Sequence, residues 1–454
     1  MKKERFISLF LIFVLLASLA PSAYAKENFE VDARAALLVD VGTGEVLYDK
    51  NVHERSYPAS ITKVMTALLT LEAVKAGRLS LTQEITAQES AFENLAADGS
   101  TANIKAGETM SVENLLNCLL IVSANEAANI LAEAVSGNVE SFVALMNQRA
   151  QELGCKDTRF ANPSGLHNSE HYTSAWDIYT FVSEALKYDT FREIIARKSY
   201  EVPATNVSKA RALHTTNFLI SNWRTRGYVY EYATGGKTGS TPEAGYCLVA
   251  TAEKGSRSLI SVVLGAERVT LEDKTVLTKS FSETIRLFDH GFNDFQSMNL
   301  IDAGEYIQEI PVELSSETNY VIVHPAESLR RMVPASLTFE DLERDIKLDR
   351  EIVDAPIAEG DVLGTMTVSF DGVEYGTVDL IALNDVSSSW LLVKQREITE
   401  FLAQPWVKYA AAGAAVLLVG VTVLSLPAKS RSRRYSGRRG RNYSYSGYRG
   451  RKKR

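Results

Sequence analysis

Ser60 and Lys63 stand three residues apart in the stretch Tyr57-Pro58-Ala59-Ser60-Ile61-Thr62-Lys63-Val64-Met65. On a helix that spacing puts both side chains on one side of the first turn, next to each other. A hydroxyl beside an amine is a nucleophile beside its base. Alone, the pair reads more simply as a capping serine and a solvated lysine, because four-residue motifs recur by chance. A second polar pair, Ser123 and Asn125, interrupts an apolar pattern and could face a cavity; a helix-capping serine is the competing reading. A third stretch, Gly235-Gly236-Lys237-Thr238-Gly239-Ser240, surrounds a lysine with small residues that let a ligand approach a strand backbone closely. A phosphate loop does not fit it, since the Gly-x-x-x-x-Gly-Lys-Ser/Thr spacing is missing and no helix is expected to follow. The six histidines include no His-Glu-x-x-His, and Cys118, Cys155 and Cys247 are widely spaced and odd in number. Neither a metal nor a cofactor is expected. Cys118 and Cys247 lie in apolar runs and read as small buried hydrophobes.

The elements that must hold these residues can be read from periodicity. Ile61, Val64, Met65, Leu68 and Leu69 fall at i, i+3, i+4, i+7 and i+8, one face of a buried helix. Pro58 suits its first turn, and the positive end of the helix dipole lies near Ser60. Ser111 is placed to cap another helix, with Met110 and Leu115 as a hydrophobic staple. Its apolar run, 115–122, stops at Ser123-Ala124-Asn125-Glu126 and resumes at Ala127, which predicts a short turn between two core helices. Residues 35–41 and 45–48 flank Gly42-Thr43-Gly44 and form a hairpin. Residues 162–167 are a loop by composition, followed by a helix capped by Thr173 or Ser174. Residues 245–252 and 259–264 are strands joined by a polar turn, hence an antiparallel sheet. A helix is expected from Thr270 to about His290. Helices before and after a sheet make a mixed α/β body.

The chain is long enough for about three domains, and its 45% hydrophobic and 23% charged residues are those of an ordinary globular protein. Its formal net charge of −7 conceals an asymmetry: residues 428–454 carry twelve Lys or Arg and no acid. The body is therefore acidic and no nucleic acid is expected there; a polyanion partner, such as anionic lipid, would meet the tail. Residues 1–25 read as a signal peptide, with Lys2, Lys3 and Arg5, an apolar run and an Ala23-Tyr24-Ala25 cleavage site. From about Phe295 short alternating runs take over, with Asp371-Gly372 as a hairpin signal, and 295–384 reads as a small β-sandwich-like domain. Residues 385–406 make an amphipathic juxtamembrane linker. Residues 407–426 are apolar over a bilayer's thickness, with Trp406 and Tyr409 suited to the interface. The basic, low-complexity tail 427–454 belongs in the cytoplasm by the positive-inside rule, which puts the body outside, as the signal peptide also does.

Ser60-x-x-Lys63, Ser123-x-Asn125 and Lys237-Thr238-Gly239, in that order, are far more specific together than singly. The set resembles the penicillin-binding protein and serine β-lactamase superfamily. Within it the chain is similar to the low-molecular-mass penicillin-binding proteins, D-alanyl-D-alanine carboxypeptidases of the S11 peptidase type, over roughly 30–385. Further likeness lies in Ser123-Ala124-Asn125-Glu126-Ala127-Ala128, Asn162-Pro163-Ser164-Gly165-Leu166 and Glu243-Ala244-Gly245-Tyr246.

The resemblance implies an α/β (α+β), transpeptidase-like catalytic domain over 26–294, with an antiparallel sheet flanked by helices, then the small all-β domain and a C-terminal transmembrane helix. It implies an acyl-enzyme on Ser60, with Lys63 as neutral base and Ser123 passing a proton to the leaving D-Ala. Asn125 would hold the substrate amide, and Lys237 and Thr238 the terminal carboxylate, with Gly239 beside them. The oxyanion hole would lie at the N–H groups of Ser60 and Ser240. The implied partners are peptidoglycan stem peptides and β-lactams, met outside a bacterial cell membrane. A DD-endopeptidase on cross-linked peptidoglycan would share these residues. A class A β-lactamase would carry Glu-x-x-Leu-Asn after the second motif, and residues 152–170 contain none. A non-catalytic scaffold would have lost a nucleophile. A true span with a basic tail departs from the amphipathic C-terminal anchor common in the family.

Overall fold

The computed structural model describes residues 29–425; the expected signal peptide and basic tail lie outside the described residues. The chain divides into two compact units. Among the described residues the first comprises 29–303, Glu327–Asp345 and Met366–Val378; the second comprises Gly304–Ala326, Ile346–Thr365 and 379–425.

The first unit is built on five antiparallel strands: β1 (Ala35–Asp40), β2 (Val46–Lys50), β3 (Ala233–Thr241), β4 (Gly245–Lys254) and β5 (Arg257–Ala266). Their order is β2-β1-β5-β4-β3, so β3 is an edge. Strand β1 is buried at every position, because its alternate side chains enter two cores. Leu37 and Val39 join one apolar cluster with Ile61, Val64 and Leu68, while Ala36 and Leu38 join another with Leu287 and Phe288. The expected β1–β2 hairpin is closed by Asp40, whose Oδ1 accepts the N–H groups of Gly42 and Thr43, each at 3.1 Å.

The helices of this unit are α1 (Lys63–Lys75), α2 (Val112–Ile121), α3 (Asn125–Ser136), α4 (Val139–Glu152), α5 (Ala175–Ala185), α6 (Asp189–Ala196) and α7 (Lys279–Asn293). Helix α1 is buried at every position from Lys63 to Leu71, not on one face alone. Its polar residues are satisfied internally: Thr70 Oγ1 donates to Thr66 O at 2.8 Å and Thr66 Oγ1 to Pro163 O at 2.7 Å. Ser111 caps α2, accepting from Asn114 N at 3.2 Å. Ser174, not Thr173, caps α5, accepting from Asp177 N at 3.1 Å.

The helix expected from Thr270 begins only at Lys279. Arg268–Thr270 and Val276–Thr278 pair instead as a short antiparallel ladder. Asp273 Oδ1 accepts the Thr275 N–H at 2.8 Å and Lys274 sits at φ 66°. Glu272-Asp273 is thus a turn signal, an aspartate bonding its own backbone two residues on.

Beyond α7 the chain to Ala382 is all strands and turns apart from a 3-10 turn at Phe339–Asp341. In the first unit Phe295–Ile301 pairs with Leu329–Pro334. In the second, Gln308–Glu313 lies antiparallel to Tyr320–Pro325 and parallel to Val353–Asp354. Ile310, Val321, Val323 and Leu380 are among its buried residues. Asp371 and Gly372, at φ 49° and 77°, make the expected two-residue hairpin turn. Helix α8 (Trp390–Ala403) follows, then α9 (Pro405–Ser425), whose 21 residues are long and apolar enough to cross a membrane.

Candidate active site

The nucleophile segment is not an α-helical turn. Ala59–Thr62 forms a 3-10 turn, and α1 starts at Lys63. With three residues per turn, side chains at i and i+3 eclipse, which brings Lys63 Nζ within 3.0 Å of Ser60 Oγ. Lys63 is fully buried. Its Nζ also meets Asn125 Oδ1 at 2.8 Å and Ser164 O at 2.5 Å. Both of those groups can only accept. Once Lys63 is neutral, the one neighbour able to donate to its lone pair is the Ser60 hydroxyl. Burial pushes Lys63 well below the ordinary lysine range; Lys237 adds repulsion and Glu126 opposes it.

Ser123 lies between α2 and α3 with φ 66°, a left-handed residue in the short turn expected there. Asn125 opens α3, its N–H donating to Ser100 O at 2.9 Å. Lys237, on β3, is buried and donates to Ser123 Oγ at 3.0 Å and to Thr238 O at 2.8 Å. Burial lowers its pKa to about 7. Thr238 Oγ1 is 2.6 Å from Thr216 Oγ1. Past it, Gly239 is buried and Ser240 exposed. A Cβ on Gly239 would sit 2.8 Å from Pro58 O and 3.0 Å from Ser60 N, so only a glycine lets the strand press against the nucleophile turn. The outer edge of β3 pairs with no strand among the described residues and can take an extended peptide.

Hydrogen bonds thus join Ser60, Lys63 and Asn125 in one group and Ser123 and Lys237 in another, the charge of Lys237 is felt at Lys63, and Gly239 presses on the nucleophile turn from the edge strand. Other members have no part in the expected roles. Ser164 gives Lys63 a backbone carbonyl, a contact without a side-chain signature. Glu126, buried behind Asn125, accepts from Thr101 Oγ1 and Ala102 N, each at 2.7 Å, and ties the 100–104 loop to α3. His171 Nδ1 accepts the Ala161 N–H at 3.1 Å. Its proton is thus on Nε2, which donates to Thr62 Oγ1 at 2.8 Å, and Thr62 donates to Ala59 O at 2.8 Å. Burial, with Lys63 and His167 nearby, takes His171 down to about 3, so the ring stays neutral. Gly165, at φ 83°, packs so tightly that a Cβ would lie 1.9 Å from Ala59 O. The sequence signals for this wall are the loop composition of residues 162–167 and the family likeness of Asn162-Pro163-Ser164-Gly165-Leu166, neither of which assigns its contacts.

Comparison with known proteins agrees with this geometry. Residues 22–268 match the D-alanyl-D-alanine carboxypeptidase family of S11 peptidases, and residues 295–388 the C-terminal domain of penicillin-binding protein 5. The D-alanyl-D-alanine carboxypeptidase DacF of Bacillus subtilis (strain 168) is 32% identical over 393 residues, covering 85% of this chain and 95% of that protein. DacC of Escherichia coli (strain K12) is 32% identical over 379 residues, 81% of this chain and 88% of its own. Among solved structures, penicillin-binding protein 5 from Haemophilus influenzae superposes with a TM-score of 0.61 at 29% identity, covering 79% of this chain and 99% of that one. The carboxypeptidase DacD from Francisella tularensis gives 0.64 at 26% identity, covering 80% and 95%. The fold is the transpeptidase-like one of penicillin-binding proteins, with the all-β C-terminal domain that accompanies it. The first match spans more than half the chain and all eight of these site residues, and the chain belongs to the S11 family of serine-type D-alanyl-D-alanine carboxypeptidases.

Proposed function

We propose that Ser60, with Lys63 as its base, removes the terminal D-Ala from peptidoglycan stem pentapeptides through an acyl-enzyme. The observation that carries this is Lys63, buried, pushed toward its neutral form, and with the Ser60 hydroxyl as the one donor for its lone pair among the described residues. The substrate lies extended along the free edge of β3, its terminal carboxylate toward Lys237 and Thr238. Ser60 Oγ attacks the carbonyl of the penultimate D-Ala as its proton passes to Lys63 Nζ. The oxyanion is met by the N–H groups of Ser60 and Ser240. Ser123, held by Lys237, gives its proton to the departing amine as the C–N bond breaks and is reprotonated by the Lys63 ammonium, which leaves Lys63 neutral again. Water then attacks the ester as Lys63 accepts its proton, and the proton passes to Ser60 Oγ as the acyl C–O bond breaks, which restores the free enzyme. A β-lactam is opened by the same attack and stays on Ser60, because its nitrogen remains tethered to the acyl group.

The protein acts at a bacterial cell membrane in this reading. A cleaved signal peptide exports the body, α9 spans the bilayer, and the basic tail stays in the cytoplasm. The apolar length of α9 supports it, as do the twelve basic and no acidic residues at 428–454. The deciding experiment for the reaction incubates the protein with a stem pentapeptide and with a cross-linked dimer. D-Ala release from the pentapeptide is expected; cleavage of the dimer alone would make it a DD-endopeptidase. For placement, protease added to wall-stripped cells should digest the body and spare a tail epitope. Loss of that epitope would reverse the topology.

A further inference from the structure

Glu126 is a buried carboxylate that the proposed reaction does not use. It is 3% exposed and stands in the first turn of α3, one residue after Asn125. Its Oε1 accepts from Thr101 Oγ1 and Ala102 N, each at 2.7 Å, and from Ile104 N at 3.4 Å. Hydroxyl and backbone donors at the positive end of a helix suit an acceptor that carries charge. No ion pair reaches it among the described residues, and a buried charge without a counter-ion is costly to keep. A tie between the 101–104 loop and α3 needs no charge, since an amide oxygen would accept from the same donors. The charges that act on Lys63 come from two elements, Glu126 on α3 and Lys237 on β3, in opposite senses. From the 162–171 segment, His171 is neutral and His167 meets Glu243. Glu108 and Arg211, which with Glu126 act on Cys118 of α2, pair with each other.

We propose that Glu126 is a positioning residue for the base, its buried charge serving as the counter-ion of the ammonium that Lys63 becomes on taking the Ser60 proton. The proposal rests on the reading of Lys63 as that base. The transfer turns a neutral amine near the carboxylate into a cation, whose Nζ donates to Oδ1 of the adjoining Asn125 at 2.8 Å. Attraction between opposite charges is strong where water is excluded. It favours the protonated amine, so Lys63 is a stronger base than burial beside Lys237 alone would leave it. Burial frees the lone pair, and Glu126 keeps it basic enough to draw the proton.

The rate constant of acylation by a fluorescent penicillin is measured against pH with the full-length protein in detergent micelles. Each variant is also made in a Lys237→Ala background, where the titration of Lys237 drops out. Neutral Lys63 is the reactive form, so the rate climbs as pH rises through its pKa. In Glu126→Gln the midpoint of that climb should fall by about one pH unit. The plateau should fall by about tenfold, as a weaker base accelerates less. Glu126→Asp keeps the charge and should return the midpoint toward the wild-type value. Thr101→Val breaks one tie of the loop, keeps the charge, and should leave the midpoint in place. The rate constant is read only from molecules that acylate, so partial unfolding lowers the amplitude and not the midpoint. A midpoint that stays or rises in Glu126→Gln overturns the proposal, as does one that Thr101→Val moves equally far. If Glu126→Gln acylates at no pH, the other two variants decide: acylation by both at the wild-type midpoint supports the charge, and its loss in both assigns the effect to the loop and overturns the proposal. Failure of the base reading shows separately, as normal labelling of Lys63→Ala.

Discussion

Lys63 and Lys237 are both buried without a carboxylate in hydrogen-bonding range, yet burial serves a different end in each. In the proposed mechanism the neutral form of Lys63 is the working one. Lys63→Ala should cut penicillin acylation by about 10²–10⁴-fold, and Ser60→Ala should abolish covalent labelling by a fluorescent penicillin. Lys237→Ala should mainly raise KM for substrates that end in a carboxylate. Normal labelling of either of the first two variants at neutral pH would remove its assigned role. Lys237 must be charged to hold a carboxylate, yet its pKa in the free site is about 7. At pH 8 it is mostly neutral, and a bound carboxylate favours its ammonium form, which raises the pKa. Peptide binding by Ser60→Ala protein should therefore take up a proton at pH 8 and none well below pH 7. Calorimetry in two buffers of different ionisation enthalpy measures this. A binding heat independent of buffer at pH 8 would mean that Lys237 does not carry the charge.

Each catalytic side chain stands on a different element, and what sets their separation is backbone packing. The 162–166 loop presses on the nucleophile turn through Gly165. Gly165→Ala should cost about 3 kcal/mol and also lose acylation in the molecules that still fold. Gly137 has the same φ of 83° but nothing within 4 Å of a Cβ. Gly137→Ala should cost only about 1 kcal/mol and acylate normally, so urea melts and penicillin labelling of the pair separate strain from contact. These contacts mark what was and was not legible in the sequence. Ser60, Lys63, Ser123, Asn125 and Lys237 were legible because side chains with reactive groups recur at fixed spacings. The helices around Ser123 and the Asp371-Gly372 hairpin were legible from apolar runs and turn chemistry. The stretches that hold Ser164 and Glu126 were marked by the family likeness, but their contacts and the His171–Thr62 link were not legible, because a carbonyl's aim and contacts between distant residues leave no local pattern. The 270–278 ladder was misread as helix because an acidic pair serves a first helical turn as well as it serves a tight turn.

On the scale of the molecule, the boundary between catalysis and support can be tested by truncation. Met332 lies in the same apolar cluster as Leu38, Leu259 and Phe288, and Glu45 accepts its N–H at 2.5 Å. A 26–294 fragment should therefore melt below a 26–385 ectodomain, yet acylate at the same rate once folded. A fragment that melts cooperatively but cannot acylate would bring the later strands into the site. The buried lysine pair has a further consequence for the whole fold. Unfolding returns both amines to water as fully charged groups, so the folded state is penalised at neutral pH for keeping them inside. Replacing Lys63 by an apolar side chain of similar length removes that penalty. Lys63→Met should be stabilised by about 1–3 kcal/mol at pH 7, read from urea unfolding, while it becomes silent to penicillin. Thermal tolerance and reactivity then draw on the same side chain in opposite directions, and heat-selected variants of this protein should arise most readily among those that have lost their activity.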